Sequence, residues 1–429
     1  MGLSIFLQTA SKLALVGGML LDGYEVPPIH HAAVLIDGER IVEVGRAAEV
    51  TIPDDYRVVD TSGRTMLPGL IDLHAHLMIL GHGDYARFFD WLERQDEITL
   101  EQVMEISARQ LLMAGITSAV ELGAPTEESI RVRDRIAAGE ILGPRLSVSG
   151  SWVARRTFGG FPAGAQNLIH SPEEASAVVQ RLAEEGVDVI KAWAGLTKAD
   201  YEAIVTTAHR HDIPVHAHLY DAESIWNALN AGVDVLQHVG SAGTPRFEDD
   251  LLRAIAVSGR PVVPTGAHRV WVFPATVQFP ERLQDPRLKN DFPAKLYEEV
   301  QASLADFQRL AYFRTTPRQM FFGDASMGQW LETGAVIGMG TDSGTPMNFH
   351  TEALWREIKA FVDLGMPAAA AISAATRVNA RIMGKGRDLG TIEPGKLADI
   401  IVVGGDPLYN IMALADVEMV VKGGVVVSP

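Results

Sequence analysis

The chain has 429 residues, 47% hydrophobic and 21% charged, which is enough for one large domain and a small companion. A formal charge of −17 speaks against a nucleic-acid partner, which needs a basic face, and against docking on anionic lipid. There is no cysteine, so disulfides, zinc–thiolate sites and thiol nucleophiles are excluded; the compartment stays open, with cytoplasm favoured over periplasm or export.

In chain order, residues 1–10 are left open, with a remnant of a targeting segment as one reading, and Leu13 to Leu20 reads as the first strand of a small β domain. The stretch Leu3 to Leu21 is too short for a membrane span and is broken by Lys12, Gly17 and Gly18. From Leu13 to Leu67 short β-rich runs alternate with turn signals, and Asp37-Gly38 predicts a hairpin. From Pro68 to about Gly384 helices alternate with apolar strands, as in LLMAGITSAVEL, LAEEGVDVIKAW and ALNAGVDVLQHV, where glycine closes the helix. Ser171-Pro172-Glu173-Glu174 predicts a capped helix start. Short strands return from Leu389. Repeated α-then-β units imply a parallel sheet. The expectation is an α/β protein: a (β/α)8 TIM barrel over residues 68–388, with a small β-sandwich built from both chain ends, 11–67 and 389–429. An open doubly wound sheet is the competing fold, but no glycine-rich phosphate loop follows its first strand.

Six ionisable residues stand at the ends of these apolar runs: His74 and His76, Lys191, His218, His238 and Asp342. In a barrel enzyme chemistry lies at the carboxyl ends of the strands. His74 and His76 are two apart on a strand and share a face. Lys191 either reaches solvent at a rim or, as a buried neutral amine, takes up carbon dioxide as a carbamate with an oxygen for each of two metals. His216 shares a face with His218 and is read as structural. Asp342 is a metal ligand and base or a helix cap. Imidazole and carboxylate donors suit zinc, with manganese, cobalt and iron as other candidates. Each piece is weak alone; the ordered set predicts two divalent metal ions.

From PGLIDLHAHL to ATRVNARIMGKGRDLGTIEPGKLADIIVVGGDPL the chain resembles the amidohydrolase superfamily, most closely its imidazolonepropionase-related, prolidase-like branch, which includes zinc carboxypeptidases and ochratoxinase-like amidases. The resemblance implies that His74, His76 and Asp342 hold one metal, that His218 and His238 hold the other, that Lys191 bridges them, and that Asp342 shuttles the proton. The chain departs from the branch at Arg156-Thr157-Phe158-Gly159-Gly160-Phe161, where phenylalanine stands in place of the histidine of a Gly-Gly-His element.

The expected activity is cleavage of an amide bond, releasing an amino acid from an N-acyl amino acid, dipeptide or ochratoxin-like amide. Tyr220 is the candidate for steadying the oxyanion. Arg155, Arg156 and His268 are candidates for holding a substrate carboxylate. Trp271, Phe273 and Phe279, in a long insert after strand seven, are the expected apolar pocket. Other readings are a hydrolase of neutral amides, carbamates or ureas, a mononuclear deaminase or cyclic-imide hydrolase, against which Lys191 argues, and a non-catalytic barrel scaffold. A small-molecule amide is the expected partner, and a homo-oligomer, with an octamer as one form, the expected assembly.

Overall fold

The computed structural model of the chain describes residues 12–240, 244–314 and 316–427, so the reading of residues 1–10 lies outside the described residues. The chain divides into two compact units: residues 1–71, 111–118 and 365–429, and residues 72–110 and 119–364. No helix among the described residues is long and apolar enough to cross a membrane.

The first unit contains a four-stranded sheet in the order Arg40–Arg46, Ala32–Asp37, Leu13–Val16, Arg57–Asp60, and a five-stranded sheet in the order Val425–Val427, Val417–Lys422, Ile400–Gly404, Arg64–Pro68, Met19–Leu20. The hairpin expected at Asp37-Gly38 forms, with Asp37 opposite Arg40 and Gly38 at φ +61°. Alternating residues Leu13 and Leu15, Val34 and Ile36, and Ile400 and Val402 meet in one buried cluster fed by both sheets. Two-residue alternation places them on a common face.

The second unit is α/β with parallel strands. One sheet runs Gln166–Leu168, Trp152–Ala154, Ile190–Ala192, Val215–His218, Val235–Gln237, Val262–Val263; another joins Arg145–Val148 with the parts of strands Leu70–Ala75 and Ile116–Glu121 that fall in this unit, residues 72–75 and 119–121. Strands 70–75, 116–121 and 190–192 are buried along their whole length, as expected of parallel strands covered on both faces. Asp188 N donates to Val148 O at 2.9 Å. Residues 336–343 make no continuous ladder, yet their backbone reaches both ways: Val262 N donates to Val336 O (2.9 Å), and Leu73 N and His76 N donate to Met339 O and Ser343 O (both 3.0 Å).

The helices end where the strands must begin. Ser171 caps helix Pro172–Glu185 through Glu174 N, proline takes the first turn, and Gly186 closes it at φ +92°. Glu174 reaches back to His170 N, one residue short of a reciprocal box. Gly232, at φ +88°, closes helix Ala222–Ala231 just before strand 235–237. A left-handed closing residue turns the chain sharply, so a few residues suffice to enter each strand. That economy places Lys191 and His238 at the sheet's carboxyl edge.

Candidate metal centre

The structure brings the six strand-end residues together. Nε2 of His74 and Nε2 of His76 lie 3.3 Å apart. Asp342 Oδ1 is 3.5 Å from the first and 3.2 Å from the second. Lys191 Nζ lies 3.4 Å from His74 Nε2. The His238 ring centroid is 4.7 Å from that of His74 and 4.4 Å from that of His218. The donor atoms of His74, His76 and Asp342 fall within 4.8 Å of one another.

This donor set fits a metal. Burial, and then the nearby charge of Lys191, push His74 well below the ordinary imidazole range; burial does the same to His238. Neutral imidazoles present lone pairs, and two such nitrogens 3.3 Å apart gain most from a cation between them. Burial lowers Lys191 to about 7, against the opposing charges of Asp342 and Glu121. Asp342 would rise on burial alone, but hydrogen bonds from His268 and His76 hold it well below the usual carboxylate range.

Residues that the sequence reading passed over fix these side chains. Gln237 Oε1 accepts from His74 Nδ1 at 2.8 Å, while its amide nitrogen donates to His216 Nδ1 at 3.0 Å and to Leu73 O at 3.3 Å. The proton on Nδ1 leaves the His74 Nε2 lone pair facing the site. Thr265 Oγ1 lies 2.8 Å from His238 Nδ1. Asp72 accepts from Thr341 Oγ1 (2.6 Å) and His74 N (2.9 Å), tying the His74 strand to the loop that carries Asp342. Glu121, fully buried and raised by that burial to about 8, accepts from Gly123 N (3.0 Å). Gly340 and Gly344 allow this approach: a Cβ on Gly340 would lie 2.9 Å from His74 Cβ, and one on Gly344 2.5 Å from His76 O. His238, Thr265 and Asp342 hold positive φ of 65°, 50° and 57°, backbone strain of the kind that gathers at functional sites.

The remaining candidates divide. Tyr220 lines the cavity over the cluster, its ring 4.5 Å from that of His218 and 5.1 Å from that of His238. His268 is fully buried; Nδ1 lies 3.8 Å from Asp342 Oδ2 and 3.1 Å from Thr345 Oγ1, so it faces the aspartate. Arg155 is held elsewhere, by Asp200 through two hydrogen bonds (2.5 and 2.8 Å) and by His170 O. Arg156 lies along Gly195, and neither arginine lines the cavity. The expected aromatic pocket is also elsewhere: Trp271 packs on Trp355 and the Arg356 guanidinium, Phe273 on His268 and Phe313, and Phe279 is 50% exposed. The insert turns these rings into its own packing. The cavity wall comes instead from Tyr85, Trp152, Phe158, Phe161 and Trp193.

Residues 65–270 and 325–427 match the amidohydrolase family. The chain belongs to that family. Among similar curated proteins, a 5-methylthioadenosine/S-adenosylhomocysteine deaminase of Carboxydothermus hydrogenoformans is 23% identical over 92% of this chain and 88% of its own length. An imidazolonepropionase of Streptomyces avermitilis is 23% identical over 87% of this chain and 80% of its own. Among solved structures, a Xaa-Pro dipeptidase with bound methionine is 24% identical, with a TM-score of 0.75 over 98% of this chain and 100% of the other. As an amidohydrolase the chain is a metal-dependent hydrolase acting on carbon–nitrogen bonds.

Proposed function

We propose that this amidohydrolase is a binuclear enzyme that cleaves an amide-type bond. The observation that carries the reading is Lys191: a fully buried amine at a strand end, 3.4 Å from a ligand-type nitrogen, with a pKa near 7 that makes it available as a neutral nucleophile for carbon dioxide. Its carbamate would face both halves of the cluster. His74, His76 and Asp342 would hold one ion, His218 and His238 the other, most suitably zinc. Bound there, the two ions would supply an activated water and a Lewis acid for the carbonyl. Asp342 accepts the proton of the attacking water and returns it to the leaving nitrogen. His268 and Thr345 hold Asp342 and its loop in place, Thr345 Oγ1 donating to Asp342 O at 2.7 Å. Tyr220 offers its O–H to the carbonyl oxygen as negative charge grows.

The hydrogen bonds reaching both ways from residues 336–343 support a closed (β/α)8 barrel over residues 68–388, and the shared apolar cluster of the terminal strands supports a β-sandwich from 11–67 and 389–429. Release of an amino acid loses one of its supports with Arg155 engaged on Asp200, which favours neutral amides, carbamates or ureas. A single-metal deaminase is the second reading, favoured by the tight grouping of His74, His76 and Asp342 alone.

The test is elemental analysis after zinc loading in bicarbonate, with mass analysis of the intact chain. Two ions per chain and an added carbon dioxide that Lys191→Met abolishes are expected. One ion with unmodified lysine would overturn the binuclear reading. Light scattering of the same sample checks for the homo-oligomer.

A further inference from the structure

We infer that the aromatic chamber beside His218 seats an uncharged aryl group of the substrate, and that Phe161 sets this preference. The inference rests on the amide-hydrolase reading and names its substrate class.

The chamber begins at the candidate metal centre. The Trp193 ring lies 5.3 Å from that of His218. Trp152 meets Trp193 edge-on at 4.0 Å, and Phe158 stacks on it at 5.2 Å and 24°. Phe161 is the hub: it touches Tyr85 at 4.5 Å, Trp152 edge-on at 5.3 Å and Phe158 at 5.5 Å. These five rings, with Ile79 and Leu122, wall a cavity of about 180 Å³ that opens on His76, His218, His238 and Asp342. A dry apolar cavity of about 150 Å³ is enough to take up benzene, so the space admits one ring together with the bond to be cut. Aromatic faces and edges at these spacings favour another ring over an aliphatic group of equal size.

The wall is set firmly. Gly123, at φ +145°, has no Cβ to hold off the Trp152 indole, whose Cε3 would stand 2.5 Å from one. Trp152 is fully buried, and its Nε1–H finds no partner among the described residues. A buried indole N–H without an acceptor is costly.

Charge narrows the class. Among the described side chains lining the cavity the one amine is Lys191, which belongs to the donor cluster, and Arg155 is held by Asp200. A substrate carboxylate seated among the five rings would be desolvated with no cationic side chain beside it among the described lining residues. A cationic head would suit the ring faces but would likewise be desolvated there, since the one carboxylate among the described lining residues, Asp342, belongs to the donor cluster. An uncharged ring meets neither difficulty.

The experiment uses the zinc-loaded protein and simple amides, with kcat/KM corrected for leaving-group basicity. N-benzylacetamide is compared with its cyclohexylmethyl and methyl analogues and with 4-carboxy and 4-trimethylammonio derivatives, and the set is repeated with the ring on the acyl side. The neutral aryl amide of one set is expected to exceed the methyl amide in kcat/KM by about 10²-fold. Phe161→His, similar in size but polar, should lower that ratio by about tenfold, and Phe158→Leu should do so too if the first variant fails to fold. As a readout apart from turnover, the uncharged sulfonamide N-benzylmethanesulfonamide should quench tryptophan fluorescence saturably in the parent and weakly in Phe161→His. Quenching without turnover of any amide would retire the amide reading and support the chamber. Equal kcat/KM for aryl and methyl amides in both sets, or preference for either charged derivative, would overturn the inference.

Discussion

Gln237 offers the sharpest test of how the donor cluster is held. Its carboxamide is fully buried and bridges His74 Nδ1 and His216 Nδ1 at 2.8 and 3.0 Å, with a weaker contact to Leu73 O. Gln237→Leu keeps the volume and removes all three partners. His216, which burial lowers to about 3, stays neutral and can change tautomer, but the His74 N–H and the Leu73 carbonyl are left stranded in a dry core. At about 1–3 kcal/mol for each of the two unsatisfied groups, the metal-free protein should lose about 2–6 kcal/mol of stability. The His74 ring also loses the bond that sets its tautomer, a class of change that lowers metal affinity by about 10–100-fold. Chemical denaturation of metal-free protein and competition for zinc with a calibrated chelator measure the two effects separately. Gln237→Glu keeps an acceptor for His74 and should retain affinity to within about tenfold. If Gln237→Leu binds zinc as the parent does and unfolds at the same denaturant concentration, the bridge does not orient His74 and the reasoning fails.

Three further outcomes are expected. Asp342→Asn should fold, by circular dichroism, and lose about 10²–10⁴-fold or more in kcat/KM, because proton transfer goes with the carboxylate; near-normal turnover would reduce Asp342 to a structural role. Glu121, raised by burial to about 8, is protonated in the folded protein and ionised when unfolded above the usual carboxylate range. Its contribution is therefore present at low pH and lost as pH rises toward 8, by up to about 1.4 kcal/mol per pH unit. Melting of metal-free Glu121→Gln should decline less between pH 5 and 8 than that of the parent, and parallel curves would contradict the shift. Arg155→Ala should melt at a lower temperature, because it strands the buried Asp200 carboxylate, while leaving the ratio of kcat/KM between an acyl amino acid and its C-terminal amide unaltered; a selective loss on the acid would restore the carboxylate clamp.

The strand ends could be read from local signals. Lys191, His218 and His238 each close an apolar run that follows a capped helix, and both features lie within about thirty residues of sequence. Asp342 was harder, because residues 336–343 pair through scattered backbone bonds without a regular ladder, and it was the run VIGMGTDSG that marked it. Gln237 and Glu121 carried no signal, and Asp72 stood out only as the residue before the histidine pair; the roles of Gln237 and Asp72 appear when partners from distant segments arrive, Gln237 reaching across 163 positions to His74 and Thr341 across 269 to Asp72. The aromatic wall was missed for a related reason. Aromatic density pointed to the insert, whose rings stack on its own helices and on Arg356, whereas Trp152, Phe161 and Trp193 are spaced widely and converge only when strands 152–154 and 190–192 pair.

The first unit joins segments made at very different times. Strand Arg64–Pro68 is flanked in its sheet by Met19–Leu20 and by Ile400–Gly404, and Thr65 Oγ1 donates to Gly405 O across 340 positions. At a synthesis rate of about 5–20 residues per second, the early strands wait roughly 20–70 s for the late ones. Through that interval the apolar run Ala32–Ile36 lacks its contacts with Ile400, Val402 and Val421, and strand 64–68 lacks one of its two sheet neighbours. An unpaired apolar edge invites pairing with other chains. Recovery of folded protein should therefore respond to the speed of synthesis and to chaperone supply, and a stop codon before residue 400 should turn a nearly complete chain into one that aggregates.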